Sequence, residues 1–249
     1  MAITMFGFVG EEEESVEIVP WATGDIDKIK AMLDANEAGK INITDYWAVG
    51  EYRTVAYTSS ILGDSSADWV LTDLSTAAQN KTTSGGTRYN AVIHTKKCSY
   101  TGYGMNSSNI NSGGWSSSRM RTTEMPAYLA VIPSTFKALF KSASIISGAG
   151  NASNTTQTTT DTLWLFAEKE VFGTYTYSGS VEAGYCKQYD YFKTASNRIK
   201  YYTGTSAYIW WLRSPKVSGT SSFCYVYSDG SAYYYSASFT FRVAPAAII

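Results

Sequence analysis

The sequence predicts one mixed domain of short helices, short strands and much irregular chain. Three observations predict it. The stretch 25–39 carries a clear helical pattern. Elsewhere the apolar and aromatic residues fall in short runs bounded by Gly, Pro, Asn and Ser. No repeat of solenoid length and no linker divides the chain. Residues 24–249 are therefore read as a single domain, with 1–23 as an N-terminal lead-in.

From the N-terminus, the lead-in suits a strand or an oligomer contact, and Glu11 to Glu14 a solvated turn. Thr23 or Asp25 can cap the helix. Ile26, Ile29, Met32 and Leu33 form its stripe, and Gly39 stands where it stops. Tyr46–Val49 and Tyr52–Tyr57 read as strands around a turn at Gly50, and 61–71 carries no clear assignment. Gly85-Gly86 is a turn before a strand at Tyr89–Thr95. Residues 102–114 are loop, and Trp115 to Arg121 is a short helix. Pro126 and Pro133 interrupt the next stretch, and Ser134–Lys141 is another short helix. Ser147–Thr160, without charge and nearly without apolar side chains, reads as a surface loop or a hypervariable one. Leu163–Phe166 reads as a buried strand, and the chain from Tyr175 onward as short strands.

Composition removes several function classes. Lys+Arg is 20 and Asp+Glu 21, for a net charge of −1, so no basic footprint for nucleic acid exists. Charged residues make up 16%, against roughly 25% in an ordinary soluble domain. Tyr, Trp, Ser, Thr, Asn and Gly take their place. No apolar run approaches the roughly 18 residues of a membrane span. The N-terminus lacks the basic start of a secretory signal peptide. Cys98, Cys186 and Cys224 are odd in number and widely spaced, which suits free thiols rather than a disulfide framework or a zinc site. No cofactor and no metal site is expected.

Support for catalysis is weak. The one histidine, His94, lies in an alternating strand and reads as structural. Glu168 with Glu170, or Asp161 with Asp190, would be the carboxylate pairs of a hydrolase, but such spacings arise by chance among 21 acids. No phosphate loop, dinucleotide fingerprint or calcium loop is present. The chain is read as a non-enzyme.

The last 45 residues differ from the rest. Thr205–Ile249 holds four charges, Arg213, Lys216, Asp229 and Arg242, among many Tyr, Phe, Trp and Ser. Tyr with Ser and Gly is the composition of antibody combining loops, where Tyr gives rigid amphipathic area and Ser gives adaptable bonding. The candidate binding residues are Tyr208, Phe223, Tyr225, Tyr227, Ser228, Ser231, Tyr233, Tyr234, Tyr235 and Ser236, presented outward. The scaffold beneath them would be Trp210, Trp211, Leu212, Pro215, Val243 and Pro245. Arg213, set between apolar residues, calls for an acid or a buried carbonyl.

Particular blocks carry a resemblance. They are Trp210-Trp211-Leu212-Arg213-Ser214-Pro215, then Val226-x-x-Asp229-Gly230, then Arg242-Val243-Ala244-Pro245-Ala246. Upstream stand Gly113-Gly114-Trp115-x-x-Ser118-x-x-Arg121, Asp161-x-Leu163-Trp164-Leu165 with Glu170, and Tyr46-Trp47-x-Val49-Gly50. This set resembles a family of domains of unknown function from gut bacteria and their phages, which read WWLRSP and then GV(R/A)PA. That family is similar to C-type-lectin-fold domains, including relatives of the formylglycine-generating enzyme.

The resemblance implies an α+β, C-type-lectin-like fold with two main helices, small twisted antiparallel sheets and much irregular chain. Several phage members are variable proteins of diversity-generating retroelements. In those, template Asn codons never become Lys, Glu, Gln, Met or Trp, and Ser218–Phe239 contains none of the five. Departures stand beside the likeness. Phe241-Arg242-Val243-Ala244-Pro245 replaces the usual ending, and no Glu-Pro-Asn or Trp-Asn-Asp triplet supports calcium-dependent sugar binding. The implied function is a ligand-binding display protein, such as a phage receptor-binding protein, on a virion tail or a cell surface. Its partner would be a host-surface protein or glycan, without nucleic acid or membrane insertion. A homo-oligomer stays open. The alternative is a non-variable structural module whose aromatic segment makes subunit contacts.

Overall fold

The computed structural model describes residues 15–60, 63–75, 90–202 and 204–249. The turns expected at Glu11–Glu14 and Gly85-Gly86 lie outside them. Helix α1, Ile26–Glu37, starts where Asp25 accepts from the Asp27 and Lys28 amides at 3.0 and 3.3 Å. Its stripe of Ile29, Met32 and Leu33 is buried, each side chain contributing about 1.5–3 kcal/mol. Gly39, at φ 74°, ends the run.

The largest sheet is antiparallel, with strand order β1-β2-β3-β11. Its strands are β1 (Tyr52–Ala56), β2 (Ser66–Leu74), β3 (Ala91–Thr95) and β11 (Ala246–Ile248). The end of the chain thus lies beside β3, with Ala246 opposite His94. β2 shifts register between Leu71 and Asp73. Helix α1 and the helical run α2 (Gly114–Ser117), a π-turn at Met120–Glu124, and α3 (Met125–Val131) bury side chains in the same core as this sheet. Gly114 is required where it stands. Its φ is 51°, and a Cβ there would collide with the Gly148 carbonyl oxygen.

Four further helices are single turns or little more: α4 (Ser134–Lys137), α5 (Glu168–Phe172), α6 (Ser180–Gly184) and α7 (Asp190–Lys193). Two hairpins pair β4 (Ala143–Gly148) with β5 (Thr156–Asp161), and β6 (Lys200–Tyr201) with β7 (Ala207–Tyr208). A three-stranded sheet of order β10-β9-β8 completes the fold: β8 (Trp210–Pro215), β9 (Ser222–Val226) and β10 (Ala232–Ser236). The architecture is α+β, helices with small antiparallel sheets. All seven tryptophans are buried in its core.

Several elements depart from the expected ones. Tyr46–Val49 is not a strand: the Trp47 amide bonds the Ile43 carbonyl at 2.9 Å in a turn, and the Trp47 indole donates to the Val19 carbonyl at 2.9 Å. Val19 and Trp21 belong to the core, so the domain begins before residue 24. Ser147–Thr160 is mostly the β4–β5 hairpin, in which β-branched Thr residues favour strand without being apolar. Pro126 does not interrupt the helix. It stands just past the junction of the π-turn and α3, where the preceding Glu124 and Met125 keep helical φ and ψ. Leu163–Phe166 is buried but forms only an isolated bridge, Trp164 with Ala246.

Candidate ligand-binding surface

The β9–β10 hairpin builds the surface. Its turn closes with the Tyr227 amide donating to the Ser231 carbonyl at 2.8 Å, over Gly230 at φ 85°. The Asp229 carboxylate accepts from the Ser231 amide at 2.8 Å and hydroxyl at 2.6 Å. These bonds, the hydroxyl first, hold it below the usual carboxylate range. The register sets Tyr233 opposite Tyr225 and Tyr235 opposite Phe223, so all four share one face.

The base of that face is buried. Trp211 packs on Phe241 with ring centroids 4.6 Å apart and edge-on to Tyr225 at 6.1 Å, and its indole donates to the Tyr103 carbonyl at 2.8 Å. Tyr225 packs on Phe241 at 4.9 Å. Burial, with neighbouring tyrosines, pushes the Tyr225 phenol up to about 12. Above this base four aromatic side chains stand in solvent: Tyr233 (52% exposed), Phe239 (48%), Tyr227 (43%) and Tyr235 (43%). Tyr235 meets Phe239 at 4.6 Å, and Phe239 meets Phe241 at 5.1 Å.

The other expected site residues divide among several places. Tyr208 and Ser228 line an adjoining groove of about 380 Å³ with Phe241 and Arg242. There the Arg242 guanidinium lies 4.1 Å from the Tyr208 ring centroid and 4.3 Å from that of Tyr202, while donating to the Ser99 and Tyr100 carbonyls. Tyr234 is half-buried on the opposite face, edge-on to Tyr177 at 5.0 Å, with the Lys216 ammonium 3.7 Å from its ring centroid. Ser231 is exposed at the turn, and Ser236 is half-buried. Two residues expected to face outward do not. Phe223 is fully buried and Tyr225 nearly so, because β9 is the central strand of its sheet. Phe239, Phe241 and Arg242 join the surface without being among the expected site residues. The alternation Tyr233, Tyr235, Ala237, Phe239, Phe241 carries the signal that extends the face.

Beneath the surface lies a buried polar cluster. β8 shifts register between Trp211 and Pro215, and this turns Arg213 inward. Arg213 bonds both Glu170 oxygens at 2.6 and 2.9 Å, and the Leu165 carbonyl at 2.9 Å. Glu168 accepts from the Thr176, Tyr177 and Ser178 amides. Asp161 holds Trp115, Arg121 and Thr159, and Asp190 pairs with Lys193 at 2.6 Å. Each carboxylate of the two candidate hydrolase pairs thus has its own partners. His94 is buried among Phe166, Tyr191 and Phe192, with Nδ1 2.6 Å from the Thr72 hydroxyl, and burial pushes its pKa well down. The three cysteines are buried free thiols. Among the described residues, no group of three or more His, Cys, Asp and Glu could hold a metal, and no helix is long and apolar enough to cross a membrane.

The sequence model of a domain family of unknown function, DUF6273, matches residues 90–249. The chain belongs to the DUF6273 family. No curated protein and no solved structure matches it. The DUF6273 span runs from the residue before β3 through β11. It contains the whole aromatic face, the groove and the Arg213 cluster. Helix α1, β1 and β2 lie outside it.

Proposed function

We propose that this DUF6273 chain is a non-enzymatic display protein that binds a macromolecular ligand on the β9–β10 face. One observation carries the reading: four large aromatic side chains stand exposed together over a fully packed aromatic base. A fold gains nothing from leaving them in water, whereas a partner that covers them gains rigid anchors at small entropic cost. The finer reading is a C-type-lectin-like domain whose C-terminal surface is diversified by a retroelement, on a phage tail or a cell surface. Supporting it are the WWLRSP block on β8, two main helical runs, and the residue alphabet of Ser218–Phe239. Arrayed bacterial surface proteins and glycans test the binding. Wild-type protein should mark one class of array feature, and Tyr233→Ala with Tyr235→Ala should lose that mark while melting unchanged. Retained binding in the double variant would overturn the assignment of the face.

A further inference from the structure

β10 is an edge strand of its sheet. The ladder fixes what its outer side presents. The Tyr227 amide donates to the Ser231 carbonyl, and the Ala237 amide to the Ser221 carbonyl at 2.7 Å. Antiparallel pairs alternate, so Ser231, Tyr233, Tyr235 and Ala237 turn their backbone groups toward β9. Ala232, Tyr234 and Ser236 turn theirs outward. The Ser236 carbonyl accepts from the Phe239 amide at 3.0 Å, and among the described residues no strand pairs with the rest. β10 carries neither proline nor charge, the common protections of an open edge. Beside it stands Lys216, half-buried, its ammonium over the Tyr234 ring, with no carboxylate paired to it among the described residues.

We propose that the outer edge of β10 is a strand-addition site for an extended segment of a partner protein. The segment carries an acidic side chain on the Lys216–Tyr234 side and apolar side chains on the Tyr233–Tyr235 side. Backbone bonds to Ala232, Tyr234 and Ser236 supply affinity, and the period-two alternation supplies specificity. The inference rests on the reading that this hairpin binds a protein, and narrows it to one recognition mode.

The test selects peptides from a random phage-displayed library on the intact protein. The best peptide is then resynthesised with N-methyl groups at alternate amides. The expected peptides alternate apolar residues with others and place Asp or Glu at one parity. Methylation at one parity should weaken binding about tenfold or more, and at the other parity hardly at all. Lys216→Glu should shift selection to basic peptides, and the Tyr234 amide should gain protection from exchange on binding. Peptides that require Tyr235 but tolerate methylation at both parities would overturn strand addition and leave the aromatic-face reading standing. Peptides indifferent to Tyr233→Ala and Tyr235→Ala as well would overturn both. A selection without binders would count against strand addition alone, since an open edge accepts extended chain through backbone bonds.

Discussion

Arg213 grips both carboxylate oxygens of Glu170, at 2.6 and 2.9 Å, with neither side chain exposed. The pair joins β8 to α5, and through the Leu165 carbonyl it also fixes the irregular run before that helix. This places a charged rivet behind the strand that underlies the aromatic face. Glu170→Gln leaves a buried guanidinium short of its counter-charge and should cost about 3–5 kcal/mol. Arg213→Lys should recover little of that, because an ammonium cannot make the two-pronged contact. Urea unfolding midpoints of the two variants check both statements.

The exposed and the buried aromatic residues should separate in stability. Tyr233→Ala and Tyr235→Ala should shift unfolding by no more than about 0.5 kcal/mol, as surface substitutions do. Phe223→Ala and Trp211→Ala, which empty fully buried volume, should cost about 3–5 kcal/mol each. Thermal melts of the four variants decide it. Equal losses for both pairs would mean that the face is core.

A buried acid sets a pH response. Glu182 on α6 is fully buried beside Arg213 and Glu170. Ser214 and the Gly148 amide approach it without closing bonds of normal geometry. Burial pushes its pKa up to about 7 from 4.5, opposed by Arg213 and Ser214. The folded chain therefore holds a proton that the unfolded chain has released between those pH values. This contribution to stability is full below about pH 4.5, falls as pH rises, and is gone above about 7, a span of about 3 kcal/mol. Glu182→Gln should remove this slope and make the protein more stable than wild type above pH 7. Denaturant titrations at pH 5 and pH 8 measure the difference.

Gly114 offers a backbone test. Gly114→Ala demands both a left-handed φ and space already filled by the Gly148 carbonyl. It should destabilise by more than about 1 kcal/mol, whereas Gly184→Ala, with nothing within 4 Å of the added carbon, should be mild. Melting curves of the pair separate steric need from general helix propensity.

Much of this molecule is legible along the chain. Helix α1 announces itself by an acidic cap, a stripe at helical spacing and a terminal glycine. β8 reads as scaffold because Trp210-Trp211-Leu212 leaves no polar face. Arg213 shows its need for a partner, yet Glu170 is named only by the register shift that aims Arg213 inward. The Thr-rich β5 is illegible to apolar patterning, since its strand tendency comes from β-branching and pairing with β4. Phe223 and Tyr233 look alike in sequence. Only the strand order, which puts β9 in the middle and β10 at the edge, buries one and exposes the other.

The most direct test is to sequence the 3′ end of the gene across a natural population, with the flanking DNA searched for a near-copy and a reverse transcriptase. A diversified binding surface predicts changes at template adenines, confined to the exposed positions Tyr227, Ser231, Tyr233, Tyr235 and Phe239 and the half-buried Ser228, with Trp211, Arg213, Phe223 and Tyr225 unchanged. An invariant 3′ end without a near-copy, or changes spread equally over buried and exposed codons, would contradict it.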